Sequence, residues 1–348
     1  MIEKICHIGP ALNVQGGISS VLVSYKKLFH LPKENFIESY NGSFAKSLFL
    51  VLKICISVLF SKNKFDFYQI HTSSYGSFFR KFLISFCLRI KKRKYTAHIH
   101  GSQFQKFCKE ASPLLQFFIR SYLKHAKFII CITPDMQDFL KDFLKNSKIH
   151  FEILPNPCAI NVSVPTDLKQ HKVPVKILFS GRYGKRKGVY DLIEAFSKAN
   201  FQVDTELYLY GDGEVEKVKS VAKNSVRAKS IFVSPWLTHE AYLKKIPDFD
   251  FLVLPSYAET FGMSLVEAMG FGLPVISTFS GGIPFVVENN KEGFLVEAGA
   301  IDSLSHRISL LANDANLRSQ MGLHAFEKVK NSFAANIISE RLERMYKE

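Results

Sequence analysis

Apolar positions along this chain fall into two alternating rhythms. Runs of strand length occur at Lys4–Ile8, Phe67–Ile70, Thr96–Ile99, Phe128–Ile132 and Phe151–Leu154. Between them lie longer stretches with helical spacing: Ile18–Phe29, Phe44–Phe60, Phe78–Ile90, Leu114–Lys124 and Asp135–Leu144. Strands alternating with helices predict a parallel sheet covered on both faces. From Leu154 to Pro174 the periodicity fades and Pro155, Pro157, Pro165 and Pro174 appear, which predicts a linker. The alternation then restarts. Strands are expected at Val175–Phe179, Glu206–Tyr210, Ser230–Val233, Phe251–Leu254 and Val275–Ile276. Helices are expected at Val189–Lys198, Val215–Lys223, His239–Lys245, Met263–Met269, Ile301–Leu311 and Leu317–Lys328. The pattern is that of two α/β domains of similar size.

Two helical stretches are apolar on more than one side. Ser47–Phe60 reads SLFLVLKICISVLF, 14 residues with Lys53 inside. A spanning helix needs about 20 apolar residues. The expectation is therefore a sheet-packing helix with a narrow wet stripe through Lys46, Lys53, Ser57 and Lys64, or one that also touches a bilayer surface. Phe78–Lys94 repeats the theme, with Lys81, Ser85, Arg89 and Lys92 as its predicted polar stripe. It ends in the cluster Lys91-Lys92-Arg93-Lys94. Cations at a helix C-terminus are favourable in any case.

Charge separates the two halves. Residues 1–165 hold 23 Lys and Arg against 9 Asp and Glu, a balance of +14. Residues 166–348 hold 23 against 22. That asymmetry implies an anionic partner for one domain: nucleic acid, a membrane surface or an acidic substrate. The six cysteines are scattered with no C-x-x-C pair. This excludes a zinc ribbon and a disulfide scaffold and points to a reducing cytosol. The opening MIEKICHIGP runs straight into a strand-like segment, with no charged region followed by a long apolar one, so no secretory signal is expected.

Candidate chemistry gathers after the predicted strands, where parallel sheets bind ligands. After Phe251–Leu254 comes Ser256-Tyr-Ala-Glu259-Thr-Phe261-Gly262-Met263-Ser-Leu265-Val-Glu267. Here a helix start offers backbone N–H groups and positive dipole charge to phosphate or sugar hydroxyls, and Gly262 allows close approach. Glu267, a turn or two along, can take both hydroxyls of a vicinal diol. After Val175–Phe179 comes Ser180-Gly-Arg182-Tyr-Gly-Lys-Arg-Lys187-Gly188. Arg182 and Lys187 can flank a pyrophosphate, the first as a planar fork and the second as a point charge. Gly211 and Gly213 follow the next strand as half of a dinucleotide fingerprint, a weak signal alone that a tight turn also explains. In the first half, Gln15-Gly16-Gly17 opens the first helix, and His98-Ile-His100-Gly101 ends a strand, with His100 at the ligand edge.

In order and spacing these segments resemble the retaining glycosyltransferases of the GT-B fold, family 4 in the usual sequence classification. The resemblance spans almost the whole chain, including the acidic pair E-x7-E at Glu259 and Glu267. It implies an α/β GT-B fold of two Rossmann-like domains facing across a cleft. Residues 1–165 would bind the acceptor, residues 166–330 the nucleotide-sugar, and 331–348 would form a helix crossing back to the first domain. By the same resemblance, Arg182 and Lys187 neutralise the leaving diphosphate, and Glu267 holds the ribose. Glu259 and the amides of Phe261, Gly262 and Met263 hold hydroxyls of the transferred sugar. His100 sits beside that sugar, and Gly17, after Gly16, lets the first loop approach the diphosphate. Gly211, Gly213 and Leu265 complete the donor-binding set, with His100 and Glu259 as the catalytic pair.

The function so implied is transfer from a UDP- or GDP-sugar to a glycan acceptor on a polyprenyl-diphosphate lipid, in the synthesis of a surface polysaccharide such as capsule, O-antigen or exopolysaccharide. No metal or other cofactor is expected. Asp248-Phe-Asp250 has the form of a metal motif, but it precedes its strand, away from the ligand edge. The basic first half is expected to rest on the anionic inner face of the cytoplasmic membrane. A nucleotide-sugar epimerase of the same fold is an alternative. Nucleic-acid binding by the basic half is another, although no helix-turn-helix, RNP or zinc-knuckle pattern occurs. A Rossmann oxidoreductase is excluded, since Gly9-Pro10-Ala11 supplies no G-x-G-x-x-G.

Overall fold

The computed structural model describes residues 2–14, 16–101, 103–145, 148–158 and 173–347. Most of the expected linker, and Gln15 of the first glycine loop, lie outside the described residues. The chain forms two compact units, Met1–Ala159 with Ala335–Glu348, and Ile160–Ala334.

The first unit runs β1 (Ile5–Pro10), α1 (Gly17–Leu28), β2 (Phe36–Tyr40), α2 (Phe44–Phe60), β3 (Phe67–Thr72) and α3 (Gly76–Ile90). It continues through β4 (Tyr95–Ile99), α4 (Phe104–Glu110), α5 (Pro113–Lys124), β5 (Phe128–Cys131), α6 (Pro134–Leu144) and β6 (His150–Ile153). Its six strands are all parallel, in the order β2-β1-β3-β4-β5-β6. The second unit runs β7 (Val175–Ser180), α7 (Val189–Lys198), β8 (Thr205–Gly211), α8 (Val215–Lys223), β9 (Ile231–Pro235) and α9 (His239–Lys245). It ends with β10 (Phe251–Val253), α10 (Met263–Gly270), β11 (Val275–Thr278), α11 (Ile283–Val286), β12 (Gly293–Val296), α12 (Ile301–Asn313) and α13 (Ala315–Ser332). Its sheet is again six-stranded and parallel, ordered β12-β11-β10-β7-β8-β9. The last helix, α14 (Ala335–Lys347), belongs to the first unit.

Each sheet is buried on both faces, so its strands read as nearly continuous apolar runs. In the first unit, α2 to α6 cover one face, with Val51, Ile84, Phe104, Tyr122 and Leu140 in that core. On the other face, Val21, Leu22 and Tyr25 of α1 pack with Ile338, Leu342 and Tyr346 of α14. Tyr346 plugs into the sheet itself, pairing with Thr96 at 2.7 Å and donating to Gln69 at 3.1 Å.

The structure departs from the sequence pattern in informative places. β2 and β12, FIESY and GFLV, are short edge strands, each paired with a single neighbour, and left no clear rhythm. The first half of the predicted polar stripe of α3 is turned inward: Lys81 and Ser85 are buried, while Phe79, Leu83, Phe86 and Ile90 are exposed; Arg89 is half-buried, and exposed Lys92 lies past the helix end. The outer face of α2 is likewise mostly apolar, with Leu48, Phe49, Leu52, Ile56 and Phe60 exposed beside Lys53. Lys64 lies beyond the end of α2 and joins no stripe. Solvent exposure therefore does not follow polarity on this side of the first unit.

Candidate active site

In an open parallel sheet, ligands bind where the strand order reverses, at the carboxyl ends of the strands. In the second unit that point lies between β7 and β10. The loop after β7 carries Arg182 and Lys187, and the loop after β10 carries Glu259, so two separate sequence segments meet there. The loops are tied by backbone: Tyr257 N–H donates to the Arg186 carbonyl at 2.9 Å, and Arg186 Nη1 donates to the Ala258 carbonyl at 3.3 Å. Gly188 permits this fit. Its φ is +69°, and a Cβ there would lie 2.0 Å from the Pro255 oxygen. On the other side of β7, Gly211 and Gly213 pack against the 181–183 segment. Tyr183 N–H bonds the Asp212 carbonyl at 2.6 Å, and a Cβ on Gly211 would lie 2.2 Å from the Gly181 oxygen. Exposed Arg182 passes over Gly213, whose virtual Cβ is 3.4 Å from the Arg182 Nε.

Lys187 Nζ makes a close ion pair with Glu259 Oε2, and both side chains are largely buried. Burial pushes the Glu259 carboxyl up, but the Lys187 charge and the Thr260 N–H bond at 3.1 Å outweigh it and hold the group below its ordinary value. Glu259 is therefore ionised at neutral pH. Its backbone is also pinned, because a Cβ on Gly281 (φ +56°) would meet the Glu259 carbonyl at 2.1 Å. Helix α10 starts at Gly262 in the left-handed conformation, φ +74°, with no side chain capping it. The Leu265 and Val266 N–H groups bond the Gly262 carbonyl at 2.9 and 3.2 Å, so the amides left for an anion or hydroxyls are those before Leu265. Phe261 and Leu265 are buried, Phe261 edge-on to Phe333 at 5.3 Å, so their contribution to the loop is its shape. Glu267 is only 7% exposed, and its Oε1 meets His239 Nε2 at 2.9 Å. His239, at the start of α9, was not singled out from the sequence. Its position after Thr238, the helix cap, is the only local signal it gives.

In the first unit, the strand order reverses between β1 and β3. Gly16 and Gly17 stand at the start of α1 after β1, and a Cβ on either would meet nothing within 4 Å. His100 follows β4 and is 8% exposed, more enclosed than an open strand end. His71 and His98 are paired in register on β3 and β4, so His98, His100 and His71 share one face of the sheet. The rings form a chain: His7 Nδ1 to His71 Nε2 at 3.2 Å, then His71 Nδ1 to His100 Nε2 at 2.9 Å. Burial lowers the His100 pKa to about 3, with buried Lys81 adding to the effect. Burial takes His71 and His98 well below their usual value too. The imidazoles are neutral at pH 7. Ring nitrogens of His71, His98 and His100 lie within 4.8 Å of one another. Of this array the sequence pointed to His98 and His100 only, because the partners come from other strands.

The acidic pair Asp248 and Asp250 lies at the amino end of β10. Asp250 Oδ2 accepts from the Lys176 N–H at 2.7 Å, which ties β10 to β7, and exposed Asp248 pairs with Lys245 at 3.7 Å. Their observed partners are structural, on the edge away from the loops just described.

Residues 165–328 match the family described as glycosyl transferases group 1. Two curated relatives are similar to part of the chain. N-acetyl-alpha-D-glucosaminyl L-malate synthase of Bacillus anthracis is 31% identical over 172 residues, and the capsular polysaccharide biosynthesis glycosyltransferase CapM of Staphylococcus aureus is 30% identical over 176. The alignments cover 49% and 48% of this chain and 44% of each relative, so the chain matches less than half the length of either. Among solved structures, sucrose-phosphate synthase from Thermosynechococcus elongatus superposes with TM-score 0.81 at 15% identity, covering 99% of this chain and 98% of that one. The HepE protein of Anabaena, in complex with UDP, superposes with TM-score 0.79 at 17% identity, covering 99% of both chains. At such identities the likeness is one of fold, and that fold is GT-B. Residues 165–328, nearly all of the second unit, are thus similar to the group 1 glycosyl transferases.

Proposed function

We propose that the protein is a retaining glycosyltransferase that moves a sugar from a UDP- or GDP-sugar to a glycan acceptor carried on a polyprenyl-diphosphate lipid, at the inner face of the cytoplasmic membrane. The observation that carries this reading is the joining of Lys187, Glu259 and the uncapped start of α10 at the reversal point of the second sheet. A lysine ammonium has three donors, so Lys187 can keep Glu259 oriented while it meets a phosphate oxygen. Arg182 and Lys187 then stabilise charge building on the leaving diphosphate, the dominant contribution expected for such chemistry. Glu259 and the first amides of α10 fix the sugar, Glu267 the ribose, and His100 is the second catalytic side chain. The UDP in the HepE complex supports UDP as the first donor base to test, and CapM supports polysaccharide synthesis as the setting.

The decisive experiment pairs a donor screen with one substitution. UDP-, GDP- and ADP-sugars are tested for thermal stabilisation, where a ligand at a hundred times its Kd contributes about 2.7 kcal/mol. Glu267→Ala is then expected to weaken the free nucleoside diphosphate by about 1.5–3 kcal/mol in calorimetry, the range for a hydrogen bond to a charged group. Unchanged affinity in the folded variant removes the ribose assignment. Isomerisation of the sugar nucleotide without an acceptor would support the epimerase instead.

Transfer is also expected to survive EDTA, because Arg182 and Lys187 supply the positive charge a divalent ion would otherwise bring. Loss on chelation with rescue by Mn²⁺ would implicate Asp248 and Asp250. Rescue by Zn²⁺ would implicate His71, His98 and His100.

A further inference from the structure

The sequence suggested that the first unit meets a membrane through its charge. The structure adds an apolar surface and a pocket. Helix α3 packs between α2 and α5, and Phe82 of α3 meets Phe118 of α5 edge-on at 5.3 Å. The three outer faces thus form one continuous side. Phe49, Leu52 and Ile56 of α2, Leu83 and Phe86 of α3 and Phe117 of α5 point outward from it, between 47% and 69% exposed. Large exposed apolar patches on a folded domain mark interaction sites, and here the inner faces of the same helices already fill the core.

At the C-terminal end of α3 this side runs into a pocket of about 550 Å³. Arg89, Lys92, Arg93, Lys94, His125 and Lys127 line it, with Phe86 and Ile90 on the apolar side. No carboxylate lines it. The cations make hydrogen bonds and ring contacts. Arg89 donates to Ser121 Oγ at 3.3 Å and sits 3.1 Å from His125 Nε2, while Lys94 and Lys127 lie over the Phe67 ring. Helices α2, α3 and α5 contain no Asp or Glu, and none occurs from residue 67 to residue 109.

We propose that this side is a bilayer-docking surface, on which α2, α3 and α5 enter the headgroup–acyl boundary and the pocket takes the phosphate of an anionic phospholipid headgroup. A cationic rim beside an apolar face is the pattern of proteins that lie in the membrane interface. A second copy of the chain would oppose the same excess of positive charge and is disfavoured by its own repulsion. The proposal rests on the membrane part of the proposed function and makes it specific: apolar contact holds the protein, and the pocket selects the headgroup.

The test is vesicle flotation of the whole protein on phosphatidylcholine alone and on phosphatidylcholine with phosphatidylglycerol. Wild-type protein is expected to stay on the anionic vesicles in about 1 M NaCl, where charge attraction reaches only about 3 Å. Leu52→Gln/Phe86→Gln/Phe117→Gln should lose that salt-resistant binding by tenfold or more, on the order of the apolar area removed. Arg89→Gln/Lys92→Gln/Lys127→Gln should lose the preference for anionic vesicles by about tenfold or more while weak binding to neutral ones stays unchanged. Circular dichroism checks folding, and single Phe117→Gln, expected to show a smaller loss of the same sign, serves if the triple variant unfolds. If salt releases wild type and the apolar variant alike, the membrane reading stands on charge alone and this surface is overturned. Binding to neither vesicle overturns both. Binding of glycerol 3-phosphate or inorganic phosphate without vesicle binding would make the pocket a site for a soluble phosphate, and capture of an acidic protein in place of lipid would also overturn the proposal.

Discussion

Replacing Lys187 by Met is expected to abolish sugar transfer and to destabilise the second unit by about 3 kcal/mol, the low end of the range for breaking a buried ion pair. The loss arises because Glu259 stays buried and loses the ammonium that compensates its charge. The pH dependence should change sign. In the wild type, Glu259 titrates below its unfolded value, so the pair stabilises the fold fully above the ordinary Glu range and the contribution is lost as pH falls through the lowered value. In Lys187→Met, burial acts alone and raises the carboxyl, so this contribution to stability should fall as pH rises from about 4 to 7. Urea unfolding followed through Trp236, the single tryptophan and a residue of the second unit, reads this directly. Lys187→Met/Glu259→Gln should recover most of the stability and none of the activity. Equal slopes in wild type and single variant would mean that the ion pair does not govern Glu259.

The second large effect is on turnover. His100→Ala is expected to lower kcat by about 10²–10⁴-fold, the range for a positioned acid–base side chain, with nucleoside diphosphate affinity unchanged. Because its pKa is held near 3 by burial and Lys81, the kcat profile should show no limb near the ordinary His value of about 6.5. Removal of His100 also leaves His71 Nδ1 without its partner, which costs about 1–3 kcal/mol in the first unit. Turnover is therefore compared well below the melting midpoint, alongside calorimetry with UDP. Near-full turnover in a folded variant would withdraw the catalytic role. A kcat loss that follows a loss of UDP affinity would move His100 to donor binding.

Most of the element order could be read from the chain, because period 2 and period 3.6 in apolar residues report burial directly. Phe44–Phe60, Val189–Lys198, Val215–Lys223 and His239–Lys245 have the same limits in sequence and structure. The edge strands β2 and β12 did not stand out, since a short strand paired on one side carries little rhythm. The placement of the Gly-rich and charged loops after β7, β8 and β10 was legible too, because such turns directly follow apolar runs. Local sequence thus determined the α/β alternation, the glycine turns, the family signature and the uneven charge.

Only the tertiary structure decided which of these pieces touch. Lys187 and Glu259 are 72 residues apart, and strand order alone brings β7 beside β10. His71 and His100 meet because parallel register sets His71 opposite His98. The inward turn of Lys81 and Ser85 on α3, which leaves phenylalanines facing out, was also invisible to a polarity pattern. The reason is common to all three. Periodicity records which side of an element differs from the other, whereas contacts between distant segments, and the side that faces the core, are set by how the sheet assembles its neighbours.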